Sequence, residues 1–164
     1  MARASGSTPV SEQAQGEAWG RRDTALLALT ATTVVLLAAQ FALAGLGAFT
    51  MDKTPTDNVY GAHVILGVVI GVLAWLILAA TLASRPARAD PRTLRLAVTL
   101  ALLAIPVEPL LGEVGQRVPV AGALHALNGL VIWALTAWLM ADTGRRRAAA
   151  RRLTGTSGTQ GGHQ

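Results

Sequence analysis

Residues 60–84 read "YGAHVILGVVIGVLAWLILAATLAS", an unbroken apolar run in which His63 is the one strongly polar side chain. An α-helix rises about 1.5 Å per residue, so about 20 residues cross a hydrocarbon layer about 30 Å thick. This stretch spans such a layer with room to tilt. Three further apolar runs occupy 24–49, 96–112 and 119–141; the run at 96–112 is short and holds Pro106 and Pro109. Lipid offers no partner to backbone N–H and C=O groups, so segments of this kind are helices that satisfy themselves. Short connections between successive helices predict an all-α, four-transmembrane-helix bundle with up-down-up-down topology.

Composition agrees with a membrane class. The chain of 164 residues is 52% hydrophobic and 14% charged, with a mean hydropathy of +0.45. A soluble domain of this size has no use for so much apolar surface. There is no cysteine, which excludes disulfides, thiolate metal sites and thiol nucleophiles. Residues 1–23 and 143–164 are polar, small or basic, and are expected to be disordered tails around a bundle at 24–142. The first apolar run is too long for a cleaved signal peptide, and Arg21 and Arg22 ahead of it read as a topological anchor.

The basic residues sort by side. Of the 14 Lys and Arg, only Lys53 and Arg117 fall on the first and third loops; the rest lie in the N-terminal segment, the second loop and the C-terminal segment. The positive-inside rule therefore predicts that both termini face the cytoplasm. The arginines then meet an anionic lipid surface, so the lipid bilayer is the expected partner of the net +5 charge. No aromatic residues interleave with the basic ones, so nucleic acid is not the expected partner.

Within the spans the strongly polar residues are Gln40, His63, Glu108, His125 and Asn128. Burying such groups in hydrocarbon costs several kcal/mol unless they are paired, ligated or neutralised, which makes each a functional candidate. Their depths agree: His63, Glu108 and His125 each lie about 6–9 Å below the same face of the membrane at the helical rise. Gln40 is somewhat deeper. His63 opens "HVILG" and His125 opens "HALNG", so Gly67 and Gly129 each follow a histidine by one helical turn. A glycine there leaves space for a flat macrocycle, with Asn128 as a further contact. The second and fourth spans lie on the diagonal of such a bundle, about 12–14 Å apart when neighbouring axes are about 8–10 Å apart. That diagonal suits two imidazoles, His63 and His125, sharing one iron. A divalent metal held by His63, His125 and Glu108 is an alternative for the same layer. In a further alternative these side chains only hydrogen-bond between helices, with Glu108 and Gln40 in the polar network. Gly67 and Gly71 form a GxxxG pair that reads as a packing seam. A transporter or channel is the least favoured class, because no run of intramembrane charges marks a conduction path.

A histidine at the outer end of the second and the fourth of four spans resembles one half of haem A synthase, a membrane enzyme built from two such bundles. That resemblance covers about residues 24–142 and implies His63 and His125 as axial ligands of haem b. This chain supplies a single bundle, lacks the loop cysteine pair of many family members, and offers only Asp57 as an acidic residue ahead of the first histidine. The stretches "QFALAGLGAF", "AHVILG" and "LHALNG" resemble a group of small bacterial four-span proteins that carries no established activity. The two likenesses imply a multi-pass protein of the bacterial cytoplasmic membrane. The expected function is binding of one haem near the outer leaflet for electron transfer, with quinol or another redox protein as partner. The alternative is a non-catalytic membrane scaffold or accessory subunit whose histidines are structural. No catalysed reaction is assigned.

Overall fold

The computed structural model describes the backbone of residues 9–50 and 57–156, and the side chains of residues 23–47, 61–85, 87–149, 151 and 152. The chain runs through α1 (Pro9–Thr50), α2 (Asp57–Ala83), a short α3 (Arg85–Ala89), α4 (Pro91–Leu102), a π-helical turn (Leu103–Val107), α5 (Glu108–Gly115) and α6 (Pro119–Thr156). Four segments are long and apolar enough to cross a membrane: Asp23–Gly47, Gly61–Ala83, Pro91–Gly115 and Pro119–Ala149. The protein is an all-α four-helix membrane bundle.

The third span differs from its sequence reading. It begins at Pro91 instead of residue 96, because Asp90 caps it: the carboxylate accepts the Arg92 N–H at 3.0 Å and the Thr93 hydroxyl. Proline at the first helical position completes a strong start signal. Arg92 and Arg95 thus belong to the span, where long stems lie along apolar surface with their charged ends at the boundary. Further along, Pro106 has no N–H to give. The backbone accommodates it by widening into the π turn, in which the Glu108 N–H reaches back five residues to the Leu103 carbonyl.

Helix also extends beyond the expected spans. Backbone over 9–23 and 143–156 is helical where disordered tails were expected. Alanine and arginine are strong helix formers, and the segment "RRRAAARR" only has to propagate a helix that the fourth span has already nucleated. The remainder of both tails, residues 1–8 and 157–164 with His163, and Lys53 in the first loop lie outside the described residues.

α1 packs on α2 and α6, the third span packs on α2 and α6, and α2 and α6 therefore stand on the diagonal. The centre is closed by Leu26, Leu37, Ile70, Ala74, Ile77, Leu100, Ile132 and Leu139. Large apolar side chains such as Val35, Ile65, Val68, Val120 and Leu127 point outward. In lipid these outward faces cost nothing, which is why so much hydrophobic content serves so thin a core. Towards the arginine-rich end the interior is lined by Thr30, Thr33, Thr81, Thr136 and Thr143, all buried. Each donates its hydroxyl to a carbonyl four residues earlier at 2.8–2.9 Å, so it is satisfied within its own helix and presents a methyl group to its neighbours.

Side-chain bonds fasten the arginine-rich end. Buried Ser84 donates to Asp23 at 2.9 Å, joining the second loop to α1. Arg146 on α6 pairs with Asp142 at 2.6 Å and Asp90 at 3.5 Å, and donates to Thr93 at 3.2 Å. The Thr93 hydroxyl is the main reason that the Asp90 carboxyl titrates below the ordinary carboxylate range, with backbone N–H groups and Arg146 adding to it. At the opposite end α5 and α6 close on each other at Gly115 and Gly122. A Cβ on Gly115 would lie 2.8 Å from the Gly122 backbone, whereas a Cβ on Gly122 meets nothing nearer than 3.6 Å.

Two outcomes follow from these contacts. Gly115→Ala is expected to lower the midpoint of thermal unfolding in detergent, with a cost of about 1–3 kcal/mol for forced overpacking, while Gly122→Ala leaves it unchanged. A folded-state carboxyl held low contributes stability above its unfolded value and loses it as pH falls through the folded value. Acidification below the ordinary carboxylate range is therefore expected to cost wild type more stability than Asp90→Asn, which keeps a capping side chain; midpoints measured across that pH range check it.

Candidate functional site

All four spans send a polar side chain to one layer at the end of the bundle opposite the arginines. Gln40 comes from α1, His63 from α2, Glu108 from the first turn of α5, and His125 and Asn128 from α6. The structure brings all five together. His63 and His125 face each other across the diagonal with ring centroids 6.3 Å apart and ring planes inclined at 62°.

Each histidine has its own support. The Gln40 side-chain amide donates to the His63 backbone carbonyl at 3.0 Å and lies 3.3 Å from His63 Nε2. An amide N–H can only donate, so in that contact His63 Nε2 is the acceptor and Nδ1 carries the proton. His63 Nδ1 and Gln40 Oε1 are both buried and meet no hydrogen-bond partner among the described residues. On the other side, His125 Nδ1 lies 3.1 Å from the Glu108 backbone carbonyl and 3.5 Å from its carboxylate. A ring nitrogen facing a carbonyl is the donor, which leaves His125 Nε2 as the lone-pair nitrogen.

The π turn sets up the rest of the layer. Asn128, buried, donates to the Glu108 carboxylate at 2.6 Å and to the Leu103 carbonyl at 3.3 Å. Leu103 is the first residue of the turn, and its carbonyl also receives the Glu108 N–H. One amide therefore ties α6 to both ends of the irregular backbone around Pro106.

The glycines do something other than the sequence reading supposed. Gly67 and Gly129 do not open a flat empty groove. A Cβ at Gly67 would meet the Gln40 amide at 3.3 Å, and one at Gly129 would meet Glu108 Oε1 and the Phe41 ring at 3.4 Å. The missing side chains make room for the polar network and Phe41. Nor do Gly67 and Gly71 form one seam: Gly71 packs on Ile105 and the Ala104 carbonyl of the π turn, while Gly67 faces α1. Gly112, which sequence reasoning missed, is where α5 yields to the His125 ring, with a Cβ there 3.3 Å from the imidazole. Its only sequence signal was a glycine one turn after Glu108. Among the described residues no group of three or more His, Cys, Asp and Glu is placed to hold a metal. The divalent-ion site of His63, His125 and Glu108 is thus not assembled.

Comparison of the chain with protein-family models, with curated proteins and with solved structures finds no match in any of the three.

Asn128→Ala removes the donor shared by the Glu108 carboxylate and the Leu103 carbonyl. It is expected to destabilise the bundle by about 1–3 kcal/mol, the cost of leaving buried acceptors unpaired, measurable as a lower unfolding midpoint in detergent.

Proposed function

We propose that this integral membrane protein binds one b-type haem through His63 and His125 and serves in electron transfer. The observation that carries the reading is the 6.3 Å between the two ring centroids. With metal–imidazole bonds of about 2.0–2.1 Å and about 1.1 Å from nitrogen to ring centre, two imidazoles opposed across one metal have centroids about 6–6.5 Å apart. A macrocycle brings its own four nitrogen donors, so two protein ligands would suffice.

The donor set fits that chemistry. His125 Nδ1 is held at the Glu108 carbonyl, which fixes the ring and directs Nε2 away from it. His63 Nδ1 and Gln40 Oε1 are buried and meet no partner among the described residues, so hydrogen-bonding capacity is left over on this side of the layer. Gln40 must swing off His63 Nε2 for that nitrogen to ligate, and its long side chain permits it. Asn128 keeps Glu108 drawn to one side. Held by His63 and His125, a haem would supply one-electron transfer. One such centre in a single leaflet needs a quinol or another redox protein as its partner. The charge asymmetry supports a bacterial cytoplasmic membrane with both termini inside and the histidine layer towards the outer face.

A second reading, a non-catalytic scaffold or accessory subunit, rests on a different observation: Asn128 and His125 bond α6 to Leu103 and Glu108 around the π turn, as a purely structural network would.

Expression with haem precursor followed by visible spectroscopy separates the two. The haem reading expects a Soret band, α and β bands that sharpen on reduction, and loss of all three in His63→Ala and His125→Ala. A colourless protein whose alanine variants keep their helicity and unfold at lower temperature overturns it in favour of the scaffold.

A further inference from the structure

At the arginine-rich end, α4 and α6 leave a shallow groove of about 310 Å³ on the lipid-facing side of the bundle, lined by Arg92, Leu96, Val131, Ala134, Leu135 and Trp138. α4 starts at this end and α6 runs back towards it, so Arg92 in the first turn of α4 meets Trp138 midway along α6. The Arg92 guanidinium lies over the Trp138 ring, 4.6 Å from its centroid. Beneath this pair the groove is wholly apolar. It follows α6 from Trp138 to Val131, about 10 Å along the helix, with Leu96 one turn further into the membrane on α4.

The neighbouring charges are committed elsewhere. Asp90 receives Thr93, the Arg92 backbone N–H and Arg146, and Asp142 receives Arg145 and Arg146. Among the described residues no carboxylate pairs with the Arg92 guanidinium. Stacking on an indole uses the face of the guanidinium and leaves its N–H groups free at the edge, in the plane that matches phosphate oxygens. A planar cation fixed by an aromatic ring at the membrane boundary, directly above an apolar groove, matches the chemistry of an amphiphile with an anionic head.

We propose that this groove is a binding site for one anionic phospholipid, with its phosphate on Arg92 and an acyl chain along Leu96, Leu135, Ala134 and Val131. Charge complementarity chooses the occupant: a helix of a second copy has no reason to require a cation at the groove's mouth, and a zwitterionic lipid gains less from it. Trp138 orients Arg92, so lysine at position 92 keeps the charge but loses both the stack and the fork.

The test uses the full chain in membranes of phosphatidylcholine containing spin-labelled phosphatidylglycerol or spin-labelled phosphatidylcholine. Electron paramagnetic resonance measures the motionally restricted fraction of each label. Wild type is expected to prefer phosphatidylglycerol. Arg92→Gln should reduce that preference about five-fold, the equivalent of the ~1 kcal/mol that a basic residue contributes at an anionic surface, and Arg92→Lys should reduce it by less. Ala134→Trp, at an exposed position, fills the groove without altering charge and should likewise reduce the preference. Far-ultraviolet circular dichroism establishes that each variant is folded. The proposal is overturned if Arg92→Gln keeps the preference, or if Ala134→Trp keeps it, which would leave only a diffuse attraction to the arginine belt. It is equally overturned if Arg92→Gln changes the oligomer mass by light scattering while lipid selectivity stays as in wild type.

Discussion

A polar group inside a bilayer has no water to fall back on, and every feature of this protein answers that constraint. The backbone answers it with four helices. Threonines answer it by returning their hydroxyls to their own helix, as Thr30, Thr33 and Thr136 do. The one irregular stretch of buried backbone, around Pro106, is answered by Asn128, whose amide supplies a donor to the Leu103 carbonyl. Against this background of settled accounts, the Gln40–His63 pair stands apart. Two of its buried atoms meet no partner among the described residues, and this is where a ligand has most to offer.

Much of this layer was legible in the sequence because membrane helices convert residue number into depth. Four apolar runs and a rise of about 1.5 Å per residue are enough to put His63, Glu108 and His125 at one level, and alternation of spans puts the two histidines on a diagonal. What depth does not encode is side-chain direction. Gly67 and Gly129 looked like space beside the histidines, but the space is taken by Gln40, Phe41 and Glu108. Gly112 was invisible for the same reason, since its partner, His125, lies on another helix.

The boundaries were less legible than the spans. Arg92 and Arg95 resembled loop residues because hydropathy counts their charge and ignores their stems. Asp90 and Pro91 carried the true start signal, a cap followed by a proline. The π turn had a visible cause in Pro106, yet its consequence, a carbonyl that Asn128 must reach, depends on a helix arriving from elsewhere. The helical continuation of α6 past the membrane likewise follows from nucleation inside it, which local composition underestimates.

The approach of Gly115 to Gly122 bears on how the chain is first threaded into the bilayer. The turn between them is short and the backbones touch, so the third and fourth spans form a helical hairpin whose halves are adjacent from the moment both are synthesised. The third span carries three prolines and two arginines, and its backbone widens at Pro106, which burdens it for entering lipid by itself. Delivered as half of a hairpin, it enters with the fourth span alongside, and the Asn128 amide is at hand to close its π turn.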